Sequence, residues 1–296
     1  MIFPDFDPVM LHLGPLAIRW YALAYVAGIL LGWRYAVGLV RNARLWGPVS
    51  PPATPAQIDD LVLWVTLGVI IGGRLGYELF YDTSVIWNDP VQILKVWQGG
   101  MSFHGGLIGV ILAIVGFSVV NRIRPLRVGD LIAPAVPIGL FFGRIANFIN
   151  GELWGRPTHV PWGMVFCNKT IEASYGGDCP AGLVRRHPSQ LYEAALEGLV
   201  MFAVLRLATH RFKALQREGA TTGLFLVGYA LCRIALENVR QPDAQMPDFP
   251  LGLTMGMMLS APMLIVGAVL LVRAWRLPAP IAADAAQADL SEPGEG

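Results

Sequence analysis

Apolar residues run in seven stretches, at 17–38, 58–81, 101–120, 129–150, 190–209, 222–240 and 253–275. Each has roughly the 20 residues that a helix needs to cross a bilayer. The pattern predicts an all-α polytopic membrane protein with seven transmembrane helices. No internal repeat divides it, so residues 1–276 are expected to form a single seven-helix membrane domain. Polar sequence interrupts this body at 151–189, where glycine, proline and charge predict a small extracytoplasmic cap. Residues 277–296 are small and acidic and predict a disordered cytoplasmic tail.

Charge orients the array. An odd number of spans alternates the connections between two sides, and one side collects 12 of the 22 basic residues: Arg34, Arg41, Arg44, Arg122, Arg124, Arg127, Arg206, Arg211, Lys213, Arg217, Arg273 and Arg276. The opposite flanks hold Arg19, Lys95, Arg156, Lys169, Arg185, Arg186 and Arg240, and four of these lie in the long 151–189 insertion, which counts little for orientation. The positive-inside rule therefore predicts the N-terminus outside and the C-terminus in the cytoplasm. Arg74, Arg144 and Arg233 remain inside predicted spans. The first basic residue is Arg19, so no basic region precedes the first apolar run, which is expected to be a retained span rather than a cleaved signal peptide.

Composition agrees with a membrane solvent: 54% of residues are hydrophobic and 15% charged, with mean hydropathy +0.52. A net charge of +1 gives no footprint for nucleic acid. Neither zinc-type Cys/His spacing nor a glycine-rich phosphate loop is present, so no metal and no cofactor are expected. Cys167 and Cys179 fall in the insertion and either pair or remain two thiols; Cys232 lies within a span.

Polar groups at membrane depth mark chemistry. Gly143 through Gly155 (GRIANFINGELWG) ends the fourth apolar run with Arg144, Asn147, Asn150 and Glu152. Gly139 and Gly143, four apart, would admit a neighbouring helix. Arg144 offers a planar fork of donors suited to phosphate and stays charged on burial; the structural alternative is an arginine that snorkels to the interface while the asparagines cap the helix. Gly99 through Gly106 (GGMSFHGG) places His104 at the start of the third helix, as a proton acceptor near neutral pH or as a helix-start hydrogen-bonder. Arg233, Glu237 and Arg240 fall at i, i+4 and i+7 and would share one helix face. Arg233 reads as the ion-pair partner of Glu237, and Arg240 as functional.

Other signals read as structural. Arg19, Trp20 and Tyr21 resemble an aromatic belt. Gly68, Gly72 and Gly76, with Arg74 and Glu78, read as close helix packing with an intramembrane ion pair. In His187 through Glu193 (HPSQLYE), Ser189 is expected to cap the fifth helix and Glu193 to serve packing.

Together, Arg19 through Tyr21, the His104 motif, Gly143 through Gly155, the 187–193 motif and Arg240 through Gln245 (RQPDAQ) resemble the prolipoprotein diacylglyceryl transferases of bacterial inner membranes, over most of the chain. The resemblance implies transfer of the sn-1,2-diacylglyceryl group from phosphatidylglycerol to the lipobox cysteine thiol of a prolipoprotein. A thioether forms, glycerol-1-phosphate is released, and the work is done at the outer face of the cytoplasmic membrane among membrane lipids. Its partners would be phosphatidylglycerol and prolipoprotein signal peptides. It implies important roles for Tyr21, His104, Arg144, Asn147, Glu152, Gly155 and Arg240.

The chemistry fits these residue types, because a thiol with an ordinary pKa near ~8.5 must lose its proton while a phosphate ester leaves from carbon. Arg144 and Arg240 are expected to hold the phosphate, His104 to act as base with Glu152 as rival, and Asn147 and Tyr21 to position the headgroup. Two competing classes use the same residues differently. A transporter or channel would line a polar path with Arg144, Glu152, Arg233 and Glu237, and a scaffold would tolerate loss of His104 or Arg144.

Overall fold

A computed structural model describes residues 1–14, 16–80, 83, 88–95, 99–242 and 252–276. The expected tail, 277–296, and Asp243 through Gln245 of the Arg240 motif lie outside the described residues. The helices are α1 (Trp20–Arg41), α2 (Pro55–Phe80), α3 (Phe103–Val120), α4 (Pro125–Ile132), α5 (Val136–Ile149), α6 (Lys169–Ser174), α7 (residues 189–210), α8 (Ala220–Leu236) and α9 (Met255–Arg276). The helix α1 and the helix α9 are each long and apolar enough to cross a bilayer, and α4 with α5 would make a third crossing. Leu63, Leu112 and Ile265 are each more than half exposed on the helix flanks. Such apolar faces match a hydrocarbon solvent.

The structure departs from the all-helical expectation at the N-terminus. Residues 9–13 and 16–19 form an antiparallel hairpin, β1 (Val9–Leu13) and β2 (Leu16–Arg19), pairing Leu11 with Ile18 and Leu13 with Leu16. Gly14 turns between them at φ +61°, a conformation that costs a side-chain-bearing residue more. Strand pairing thus claims residues 17–19, which apolar character alone assigned to the first span.

The fourth apolar run is broken rather than continuous. Pro134 lacks an N–H and clashes with the preceding turn, and α4 and α5 meet at 50°. Helix α7 changes pitch instead, running as a wide π-helical stretch over Ala194–Val200 between α-helical Ser189–Glu193 and Met201–His210. Ser189 does not cap it: Pro188 holds the cap position, and Ser189 Oγ donates to the Leu153 carbonyl at 3.0 Å. Helix α8 ends at Leu236, so Arg240 leaves the face it was expected to share with Arg233 and Glu237 and sits in a bridge with Gly155.

Glycines set the closest helix contacts. A Cβ on Gly68 would lie 2.6 Å from the Gly109 carbonyl oxygen, and one on Gly76 would lie 2.6 Å from Gly105 Cα. Helices α2 and α3 therefore meet backbone to backbone, as the glycine spacing predicts. The Gly139–Gly143 pair behaves differently: Gly28 of α1 packs on Gly139, whereas a Cβ on Gly143 would meet nothing within 4 Å. Gly143 is therefore not a helix-contact glycine. The expected ion pairs Arg74–Glu78 and Arg233–Glu237 form at 2.8 and 2.6 Å.

Of the apolar clusters among the described residues, two stand at opposite ends of the helices. Leu39, Trp46, Ile58, Phe117, Leu131 and Leu215 fill one beyond the end of α1. Phe3 of the N-terminal segment fills the other together with Phe166, Ile171 and Ala181 of the 151–189 insertion. There Cys167 and Cys179 are joined as a disulfide.

Candidate active site

The site lies at the insertion end, where Tyr21 opens α1, Arg144 and Asn147 close α5, and Glu193 opens α7. At the end of α5, Gly151 turns at φ +66° and Leu153 at +58°. The Glu152 N–H then donates back to the Asn147 carbonyl at 3.1 Å. This reversal lays the Glu152 carboxylate against the side chain it follows. Asn147 Nδ2 donates to Glu152 Oε1 at 2.8 Å and lies 3.5 Å from the Tyr21 hydroxyl, while Asn150 Nδ2 approaches the same carboxylate oxygen at 3.5 Å. Asn147 is buried, and Glu152 fixes which way its amide points.

Beside it lies a cluster of four charges. Arg144 Nε meets Glu193 Oε2 at 2.7 Å and its Nη2 meets Glu197 Oε2 at 3.4 Å. Arg240 Nη1 meets the other oxygen of Glu193 at 3.4 Å. Glu193 thus bridges the two arginines. A glycine allows this, because a Cβ on Gly198 would fall 2.7 Å from Phe141 Cβ and 2.9 Å from its Cα. That contact brings the wide turn of α7 onto α5, one turn from Arg144. From the sequence Glu193 was expected to serve packing, and Glu197 was not singled out. Their signal is there: Glu193 and Glu197 are four apart and are the two acids of the 190–209 run, opposite an arginine that needs a counter-charge.

Arg240 reaches the cluster from a backbone lattice. The Gly155 N–H donates to the His187 carbonyl at 2.8 Å and the Arg156 N–H to the Val239 carbonyl at 2.8 Å. Arg156 Nε donates to the Arg240 carbonyl at 3.0 Å. A Cβ on Gly155 would sit 2.5 Å from the Val239 oxygen and 2.7 Å from that of His187. Gly155 therefore acts here by letting three chain segments meet. Gln190 and Ser189 donate to the carbonyls of Glu152 and Leu153, so the 187–193 motif holds the site's backbone. Tyr192 accepts from Trp162 Nε1 at 2.5 Å and lies 3.3 Å from His187 Nδ1. Burial pushes the His187 imidazole below its ordinary value.

His104 is not part of this network among the described residues. It is exposed in the first turn of α3, which packs mainly on α2. The helix-start hydrogen bond is made by Ser102, whose Oγ accepts from the Gly105 N–H at 3.2 Å.

Arg144, Arg240, Glu193 and Glu197 sum to zero charge, the condition under which buried ions persist. The Arg240–Glu193 and Arg144–Glu197 contacts, both 3.4 Å, are the long ones. The model of the prolipoprotein diacylglyceryl transferase family matches residues 8–273. The chain belongs to that family. A phosphatidylglycerol–prolipoprotein diacylglyceryl transferase of Phenylobacterium zucineum is 64% identical over 280 residues, covering 95% of this chain and 96% of the relative. Enzymes of the same name from Caulobacter sp. strain K31 and Sinorhizobium medicae are 61% and 52% identical, covering 95% and 92% of this chain and 97% and 93% of their own lengths. The family match runs from β1 into α9, so the prolipoprotein diacylglyceryl transferase likeness includes both the arginine cluster and the 151–189 insertion.

Proposed function

We propose that this protein transfers the diacylglyceryl group of phosphatidylglycerol to the lipobox cysteine of prolipoproteins; the names of its relatives give phosphatidylglycerol and prolipoprotein as the reactants of those enzymes. The observation that carries this reading is the convergence of Arg144 and Arg240 on one buried carboxylate, Glu193, beside the Tyr21–Asn147–Glu152 network. A phosphodiester entering there replaces Glu193 on Arg240 and Glu197 on Arg144 as the acceptor. The cysteine sulfur then attacks the glyceryl carbon that bears the phosphate ester, the carbon–oxygen bond breaks, and the electron pair leaves on glycerol-1-phosphate. Negative charge grows on that phosphate, so arginines aimed at it stabilise the transition state more than the ground state.

Glu152 is assigned a positioning role, because its carboxylate accepts from the Asn147 amide and so aims it, with Tyr21, at the glycerol headgroup. His104 keeps the role of base for the thiol proton. It works from the exposed start of α3, where a signal peptide approaches along the membrane interface. No electron acceptor is needed, since the exchange balances in bonds and protons.

Seven spans with the N-terminus outside complete the reading, with the site on the outer side of the bacterial cytoplasmic membrane, residues 1–276 forming one membrane domain and 151–189 its cap. Support comes from helix ends. Tyr21, Arg144 and Glu193 occupy one set, and the arginine-rich connections occupy the other.

The deciding experiment mixes purified protein, a lipobox peptide and phosphatidylglycerol. A peptide mass gain of one diacylglyceryl group, with release of glycerol phosphate, is expected. Folded protein that gives no mass gain but conducts solute flux in liposomes would replace this reading with the channel.

A further inference from the structure

At the opposite end of the helices is a cavity of about 390 Å³, lined by Pro48, Val49, Arg124, Arg127, Leu215, Gln216 and Glu218. Three connections build its walls: those between α1 and α2, α3 and α4, and α7 and α8. Besides Arg124 they carry Arg44, Arg122, Arg211, Lys213 and Arg217, and Glu218 is their one carboxylate. Arg127 is held in place from two sides, its Nη2 donating to the Ser50 carbonyl at 2.7 Å and its guanidinium carbon standing 5.8 Å from the centroid of the Trp46 ring. Among the described residues that hydrogen bond uses one of its five N–H donors, and the others remain for an acceptor in the cavity. Arg124 crosses the mouth to Glu218 at 2.7 Å, but its side chain is 68% exposed. Ion pairs that exposed are weak and exchange readily.

We propose that this pocket is a second anion site that takes a phosphate group, either as the headgroup of an anionic lipid or as a free phosphate. A fixed guanidinium and a mobile one face a space large enough for a headgroup. Basic pockets between helices at a membrane surface recognise lipid phosphates in this way. The proposal is independent of the transfer reaction, because none of its residues belongs to the arginine–carboxylate cluster.

The test uses purified full-length protein in phosphatidylcholine nanodiscs, with thermal unfolding as readout. One arm adds inorganic phosphate and the other includes phosphatidic acid in the nanodisc. Phosphatidic acid replaces phosphatidylglycerol so that the proposed donor is absent. The unfolding midpoint of the wild type is expected to rise by a few degrees, and most of the rise is expected to vanish in R124Q/R127Q, whose transferase activity stays unchanged. A response to phosphate alone assigns a soluble anion; a response only to phosphatidic acid assigns a lipid. E218Q removes the competing carboxylate and is expected to enlarge the response, which keeps the test open if the double variant does not fold. Equal responses from wild type and E218Q, or from wild type and a folded double variant, overturn the proposal. So does a wild type that responds to neither ligand. A failed diacylglyceryl transfer assay would leave this result standing.

Discussion

Arg74 and Arg144 are both arginines on apolar helices beside glutamates, and they are held in opposite ways. Arg74 pairs with Glu78 at 2.8 Å and donates to the backbone carbonyls of Gln92, Ile93, Gly99 and Gly100. It ties the segment before α3 to the end of α2. Arg144, among the described residues, meets side-chain carboxylates alone. A backbone carbonyl cannot swing away without unfolding its segment, whereas a carboxylate on a rotatable side chain can give place to another anion. The four backbone carbonyls fit Arg74 to building the fold, and the exchangeable acids fit Arg144 to the ligand role proposed for it.

That contrast is sharpest in a pair of truncations. Arg74→Ala leaves Glu78 buried without its partner, a change that costs roughly 3–5 kcal/mol. It is expected to lower the unfolding midpoint strongly, with activity lost only in step with folded protein. Arg144→Ala leaves Glu197 buried without its described partner and so also lowers the unfolding midpoint, but it is expected to insert and, per folded molecule, to lose about two to three orders of magnitude in transfer rate, the scale of a principal transition-state donor. Unfolding curves and single-turnover transfer on both variants decide it. A folded, fully active Arg144→Ala would break the comparison.

A smaller effect is expected from Glu193→Gln. It keeps the shape of the bridge between Arg144 and Arg240 but removes its charge. Hydrogen bonds to charged groups contribute about 1.5–3 kcal/mol, so the rate constant kcat should fall about 10- to 100-fold. KM for phosphatidylglycerol should fall too, because the phosphate no longer competes with a carboxylate for the arginines. A variant in which KM rises while kcat holds would make Glu193 a lipid-binding group rather than a positioning residue. Gly72→Ala, which drives a methyl into the Gly105 and Gly109 backbones, is expected to cost about 1–3 kcal/mol in stability by overpacking. Once folded protein is matched, kcat should be unchanged.

The two kinds of arginine were not equally legible in the sequence. The Arg74–Glu78 pair and the glycines beside it could be read from spacing, because i, i+4 relations are local and survive any tertiary arrangement. Arg144 stands out by its motif, and Glu193 and Glu197 stand out as acids in an apolar run, but their pairing could not be read. Glu193 and Glu197 come from a span some fifty residues on, and a wide helical turn and Gly198 decide which way they face. Arg240 was misplaced for a related reason: a helical wheel puts it beside Glu237, but the chain leaves the helix at Leu236 to pair with Gly155. Hydropathy gave the apolar body and missed the β1–β2 hairpin and the break at Pro134, where local backbone chemistry outweighs average polarity.

The smallest expected effect concerns His187, which stands between the two kinds of anchor. Its carbonyl accepts from Gly155 and its imidazole lies by the Tyr192 hydroxyl, so it belongs with the lattice that holds Arg240. Burial favours the neutral ring, so the folded-state pKa lies below the ordinary value of about 6.5. Between the two values the unfolded chain binds more protons than the folded one, and stability therefore rises with pH across that window. The His187 penalty is absent above about pH 6.5, grows as pH falls through the window, and is complete below the folded value. Thermal unfolding followed from pH 7.5 down to about 5 should show this decline in the wild type and a flatter one in His187→Gln, with the pH profile of kcat/KM nearly superimposable. If the substitution instead moved the pH–rate profile and left the stability slope alone, His187 would be exchanging protons with substrate. It would then belong with Arg144, and the distinction between fixed and exchangeable partners would fail at the residue that joins them.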